Sequence, residues 1–170
     1  RVNNNCIVAR YISTKERCLK EEPIMKFNLD TAEVYIPDNK PVVQALARTT
    51  HLCFAAHQDD IEIMAAQPII ECFQKNDKWF TGVVVTDGRG SPRDSLYQNY
   101  TDDEMRLVRF KEQRKAAIVG EFAAQIMLDI PSWIVKDSSR NEPVEDILAI
   151  FRATKPKVVY THNLADKHDT

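Results

Sequence analysis

No apolar run in this 170-residue chain approaches the roughly 20 residues of a membrane-spanning helix. Its first stretch, RVNNNCIVARYISTKER, lacks the apolar block of a secretory signal. Neither charge is in excess: 23 Lys and Arg stand against 25 Asp and Glu, a net charge of -2, so nothing draws the chain as a whole to nucleic acid or to an anionic membrane. The cysteines Cys6, Cys18, Cys53 and Cys72 show no Cys-x-x-Cys spacing, and the last two lie in apolar runs where a reduced thiol packs as a small hydrophobe. A reducing, cytoplasmic setting is expected. There is no internal repeat and no low-complexity tract. Gly88, Arg89 and Gly90 make no dinucleotide fingerprint, because Ser91 and Pro92 follow where a third glycine and a helix are needed.

What is present suits one domain with a sizeable core, at 44% hydrophobic residues. Residues 51–56, 79–85, 125–130 and 157–161 are apolar runs of strand length without alternation, as expected of parallel strands covered on both faces. Between them Ile61, Ala65, Ile69, Cys72 and Phe73 share one helical face, with Pro68 expected to kink or split that helix. A second helix is signalled by the capping box Thr101 to Glu104 and a stop at Gly120. A third is expected over about 143–153, with Ile147, Leu148, Ile150 and Phe151 on its apolar side. Val34 to Ile36 adds a short strand and Pro41 to Arg48 a short helix. The expected fold is α/β, a doubly wound and mostly parallel Rossmann-like sheet flanked by helices. Residues 1–30 show no period and are expected to form an N-terminal extension. Residues 31–170 form the domain, which looks truncated at its C-terminal end, since the chain lacks an initial Met and stops in a polar run directly after a strand.

In such sheets ligands bind outside the carboxyl ends of the strands. The loops there hold His57, Gln58, Asp59 and Asp60; then Thr86 to Gly90; then Pro131 to Arg140; then His162 to Thr170. His57 and Asp60 are three residues apart at a strand-to-helix junction, close enough to share a metal ion, and zinc accepts that mixture of N and O ligands. Asp59 between them is free to act as a base towards water. The same two carboxylates also suit a plain helix cap meeting the helix dipole.

The run Ala55, Ala56, His57, Gln58, Asp59, Asp60, Ile61, Glu62 resembles the A-H-P-D-D-x-E motif of the LmbE-like family, which includes N-acetylglucosaminylphosphatidylinositol de-N-acetylase (PIG-L). Tyr160 to His162 and Asp166 to Thr170 resemble the strand and loop that lead into its H-x-x-H element. The resemblance covers about residues 51–170. It implies a zinc-dependent N-deacetylase, a hydrolase that removes acetyl from an N-acetylglucosamine-type sugar or glycoconjugate. It assigns His57 and Asp60 as ligands of one divalent ion, zinc foremost, Asp59 as general base, and His168 as the group that steadies the oxyanion or protonates the leaving amine. The third ligand would fall one residue after Thr170. Where the family commonly has Pro, this chain has Gln58, which leaves the turn freer. Thr86, Asp87 and Gly88 resemble a T-x-G turn and Arg109 with Glu112 an R-x-x-E element, which implies substrate-binding roles for Asp87 and Arg109. An Asp-Gly turn and a solvated helix face account for the same residues. Residues 89–100 and Trp133 suit contact with a sugar, or else ordinary surface. His162, directly after a strand, suits either orienting a ligand or hydrogen-bonding nearby backbone, and its role stays open.

Two further readings use the same residues. Asp59, Asp60 and Asp87 could hold Mg or Mn for phosphoester hydrolysis, since hard cations prefer carboxylates. Alternatively the chain is a non-catalytic carbohydrate-binding relative. The expected partner is a small amino-sugar substrate; sugar identity, aglycone and oligomeric state stay open.

Overall fold

The computed structural model describes residues 25–163 and Ala165, so Cys6, Cys18 and His168 lie outside the described residues. Five strands, β1 (Glu33–Tyr35), β2 (His51–Ala55), β3 (Phe80–Thr86), β4 (Ala124–Ile130) and β5 (Val158–Tyr160), form one sheet in the order β1-β4-β3-β2-β5. β2 runs parallel to both β3 and β5, and β3 to β4, while β1 joins β4 antiparallel at one edge. The helices are α1 (Val42–Ala47), α2 (Asp60–Met64), α3 (Ala66–Cys72), α4 (Asp102–Val119), α5 (Ser132–Val135) and α6 (Glu142–Thr154). The fold is α/β, with a mostly parallel Rossmann-like sheet flanked by helices.

Every residue of β2, β3 and β4 is buried, which is why their sequences do not alternate. The alternation is spatial instead. Leu52, Phe54, Val83, Val85, Ile126 and Leu128 pack with Leu46 of α1 and Ile150 of α6 on one face. Cys53, Ala55, Val84 and Met127 pack with Ile61, Phe110, Ala117 and Phe122 on the other. Met25, Phe27 and Leu29 lie against the first of these clusters, although no periodicity marks them. Burial pushes the thiol pKa of Cys53 up to about 12 and that of Cys72 to about 11, so both behave as inert hydrophobes. Among the described residues no helix is long and apolar enough to cross a membrane.

Helix boundaries follow local chemistry. The helix expected to break near Pro68 is split at Ala65, which leaves Pro68 in the first turn of α3, where its missing N–H costs nothing. The capping box of α4 forms as expected: Glu104 N–H donates to Thr101 Oγ1 at 3.2 Å, and Thr101 N–H donates to Glu104 Oε2 at 2.9 Å. α4 stops at Gly120, but not for the expected reason. Gly120 has an ordinary φ of -82°, Glu121 takes the left-handed conformation at +52°, and a Cβ on Gly120 would stand 2.4 Å from the Phe122 ring. The glycine makes room for Phe122. In α6 Ile150 is buried as expected, whereas Leu148 is exposed, because its position points away from the sheet. α5 carried no sequence signal, being one helical turn inside a polar loop.

Candidate active site

At the end of β2, Ala56 is gripped from both sides. Its carbonyl accepts from Thr86 N–H at 2.9 Å and from Thr86 Oγ1 at 2.7 Å, at the end of β3, and its N–H donates to His162 Nε2 at 2.9 Å, beyond β5. The chain then turns sharply into α2. Asp60 Oδ2 accepts the His57 N–H at 2.8 Å and lies 3.3 Å from His57 Nδ1, so the turn itself brings imidazole and carboxylate together. His162 Nε2 is also 3.3 Å from Asp60 Oδ2.

Asp59 separates these two in sequence and points elsewhere. Its φ of +83° is left-handed, a conformation that costs a non-glycine residue energy and that Asp tolerates better than most. Helix α4 holds it there: Arg109 Nη2 donates to the Gln58 carbonyl at 2.5 Å and to Asp59 Oδ2 at 2.9 Å, and Asp59 N–H donates to Gln113 Oε1 at 3.4 Å. Gln113 also donates to Glu62 Oε1 at 2.9 Å, and burial raises the Glu62 pKa. The Asp59 side chain keeps 62% of its surface open, so its carboxylate reaches water while its backbone is fixed.

His57, Asp59, Asp60 and Arg109 share the wall of a cleft of about 540 Å³ with Gln58, Gly88, Gly90, Ser91, Pro92, Ser132 and Lys136. Four of the residues singled out from sequence therefore meet in one place. Asp87 does not line this cleft: it is buried, its Oδ2 takes Arg89 Nη1 at 2.9 Å and its Oδ1 the Arg89 N–H at 3.1 Å. Each Asp87 oxygen is thus engaged by Arg89, and the carboxylate lies away from the cleft that Asp59 and Asp60 line, which disfavours a site shared by all three. Arg89 also donates to Asp103 at 2.8 Å, and Arg93 to Asp102 at 2.5 Å, which pins the 89–100 loop to the start of α4. Trp133 does not line the cleft either. Ser132 and Lys136, four residues apart, share the inward side of the α5 turn, which leaves Trp133 63% exposed on another side with Arg140 over its ring. The loop was legible as a place to look; the residues facing inward depend on α5, which was not.

Gln58, where looseness was expected, is wedged. It is 1% exposed, its Nε2 donates to the Thr86 carbonyl at 3.2 Å, and its Oε1 has no hydrogen-bond partner among the described residues. The amide ties the β2 turn to the end of β3, a job that Pro could not do. Gly88 is shaped by it: φ is +70°, and a Cβ would stand 2.5 Å from Gln58 Oε1. Gly88→Ala should therefore lower stability by about 1–2 kcal/mol from the left-handed backbone alone, with the clash adding to it. Urea denaturation of the two proteins checks this: a loss confined to that range would mean that Gln58 moves aside freely, and equal midpoints would refute the backbone cost itself.

The cluster fits a zinc ion. With bonds of about 2.0–2.1 Å, two ligand atoms on a tetrahedral zinc are about 3.3–3.4 Å apart, and His57 Nδ1 and Asp60 Oδ2 are separated by 3.3 Å. One imidazole nitrogen and one carboxylate oxygen is also a donor pair that zinc accepts. Among the described residues no set of three such ligands is found.

A sequence model of the PIG-L family, described as GlcNAc-PI de-N-acetylase, matches residues 52–170, well over half of the chain. The chain belongs to the PIG-L family. The PIG-L match begins on β2 and takes in His57, Asp59, Asp60, Arg109 and His162, so the cleft lies wholly within it. No curated protein and no solved structure matches the chain.

Proposed function

We propose that this protein is a zinc-dependent N-deacetylase that removes acetyl from an N-acetylglucosamine-type sugar or glycoconjugate. The observation that carries the reading is the division of labour at the end of β2. His57 and Asp60 face one another at ligand spacing, while Asp59 is turned away into the cleft and held open to water. Membership of the PIG-L family supports the choice of reaction and substrate class.

His57 Nδ1 and Asp60 Oδ2 would hold the ion, with a third protein ligand expected after Thr170. Bound there, the ion would supply Lewis acidity, polarising the acetamide carbonyl and lowering the pKa of water towards about 7. Asp59 takes the proton as the water oxygen bonds to the carbonyl carbon. Arg109 fixes the Asp59 carboxylate at the cleft wall and offers the cleft a cation for a sugar hydroxyl or phosphate. When the C–N bond breaks, a second proton, from an acid other than Asp59, passes to the departing amine, the proton on Asp59 is given up to solvent, and acetate and free amino sugar leave. His168 is proposed as the proton donor in that last step.

Acetate release from a panel of N-acetyl sugars, measured on the full-length protein, tests the reading. Dialysis against chelator should abolish release and zinc should restore it. Release that is indifferent to chelator, or recovery with Mg but not zinc, would reject the proposal.

A further inference from the structure

His162 stands beyond β5, 106 residues along the chain from Ala56, yet its Nε2 takes the Ala56 N–H at 2.9 Å and lies 3.3 Å from Asp60 Oδ2. The amide hydrogen of Ala56 requires a lone pair on Nε2, which places the ring hydrogen on Nδ1. That nitrogen has a single lone pair in the ring plane, so while it accepts the amide it cannot also bind an ion. Proximity to Asp60 therefore does not make His162 a ligand. It sits one bond network behind the pair: its acceptor fixes the backbone at Ala56, the next residue is His57, and the His57 N–H fixes Asp60 in turn.

Chemistry restricts what can occupy this place. A carboxylate would accept the amide but repel Asp60 across 3.3 Å. A lysine would offer no acceptor and would compete with a cation for Asp60. An uncharged acceptor meets both demands, and the imidazole supplies it from the neighbouring strand end. Thr86 secures the Ala56 carbonyl from β3 on the opposite side, so the residue before His57 is held by both strands that flank β2.

We propose that His162 is a positioning residue for the His57–Asp60 pair, which keeps the two side chains at the separation a shared ion requires by accepting the Ala56 amide. The inference rests on the zinc reading given above.

Zinc affinity, measured by competition with a chromophoric chelator on the full-length protein, tests it without reference to turnover. His162→Phe keeps the ring volume and removes the acceptor; it should weaken zinc binding about 10–100-fold, the usual scale for groups that orient ligands. His162→Gln places an amide oxygen near the position of Nε2 and should bind zinc within about threefold of wild type. Should the Phe protein fail to fold, His162→Asn, polar but too short to reach the amide, takes its place with the same expected loss. Wild-type affinity in the Phe or Asn protein overturns the inference, as does a Gln protein no better than they are. Complete loss of zinc in the Gln protein would make His162 a direct ligand and also overturn it. If the wild-type protein takes up no zinc, the functional reading falls and this inference with it. If the wild type binds and the Phe protein binds equally, only this inference falls.

Discussion

Asp59→Asn should lower acetate release by about 10²–10⁴-fold, the range for loss of a general base, while the protein still holds its zinc. Asparagine is the informative replacement because of the backbone. Asp59 sits at φ +83°, and Asn is among the few side chains that accept that conformation, whereas Ala would add strain and blur a chemical defect with a structural one. The amide keeps the shape of the carboxylate and removes its capacity to take a proton. It also removes the charge that pairs with Arg109 Nη2 at 2.9 Å. That second loss is separable. With 62% of the Asp59 side chain exposed, the ion pair is screened by water and contributes little stability, so melting temperature should hardly move. Undiminished acetate release by the Asn protein would rule out Asp59 as the base. A fall in turnover accompanied by loss of zinc would instead mean that Asp59 coordinates the ion.

The approach of His57 and Asp60 could be read from sequence because the spacing that brings them together is local. A strand that ends in a tight turn into a helix puts residues three apart on one side whatever lies elsewhere in the chain. The fold class was equally legible, since buried parallel strands leave unbroken apolar runs. Contacts of long sequence separation were not. Nothing near Ala56 announces that His162 accepts its amide, and nothing near Asp87 announces that Arg89 will fold back and occupy its carboxylate. Gln58 misled for a related reason. Local rules price its side chain as mobile, whereas the end of β3 buries it under Gly88 and supplies the Thr86 carbonyl as a partner. Trp133 drew notice by residue type alone, and the single turn of α5 then aimed Ser132 and Lys136 at the cleft instead. Residue type and spacing thus pointed to the candidate cleft, while the side chains that hold its walls in place are set by how neighbouring strand ends meet.

Asp60→Ala should reduce zinc affinity by more than the 10–100-fold typical of an orienting group, and acetate release should fall with it. Two losses combine at this residue. One is the oxygen that stands 3.3 Å from His57 Nδ1 and would bind the ion; the other is the acceptor for the His57 N–H at 2.8 Å, which shapes the turn. Asp60→Asn separates them. Its amide oxygen still accepts the His57 N–H, so the turn should keep its form, but a neutral amide is a far weaker zinc ligand than a carboxylate, and zinc should again be lost. Both proteins are therefore expected to bind poorly, with only the Ala protein showing a lowered melting temperature in the absence of metal. Zinc affinity near wild type in the Asn protein would mean that the ion, if bound, is held elsewhere. The same titration with His57→Ala distinguishes the carboxylate-only alternative: a site built from Asp59, Asp60 and Asp87 would bind Mn undiminished without the imidazole. Asp87 is buried against Arg89 and does not line the cleft with Asp59 and Asp60, so loss of metal in the His57 protein is the expected outcome.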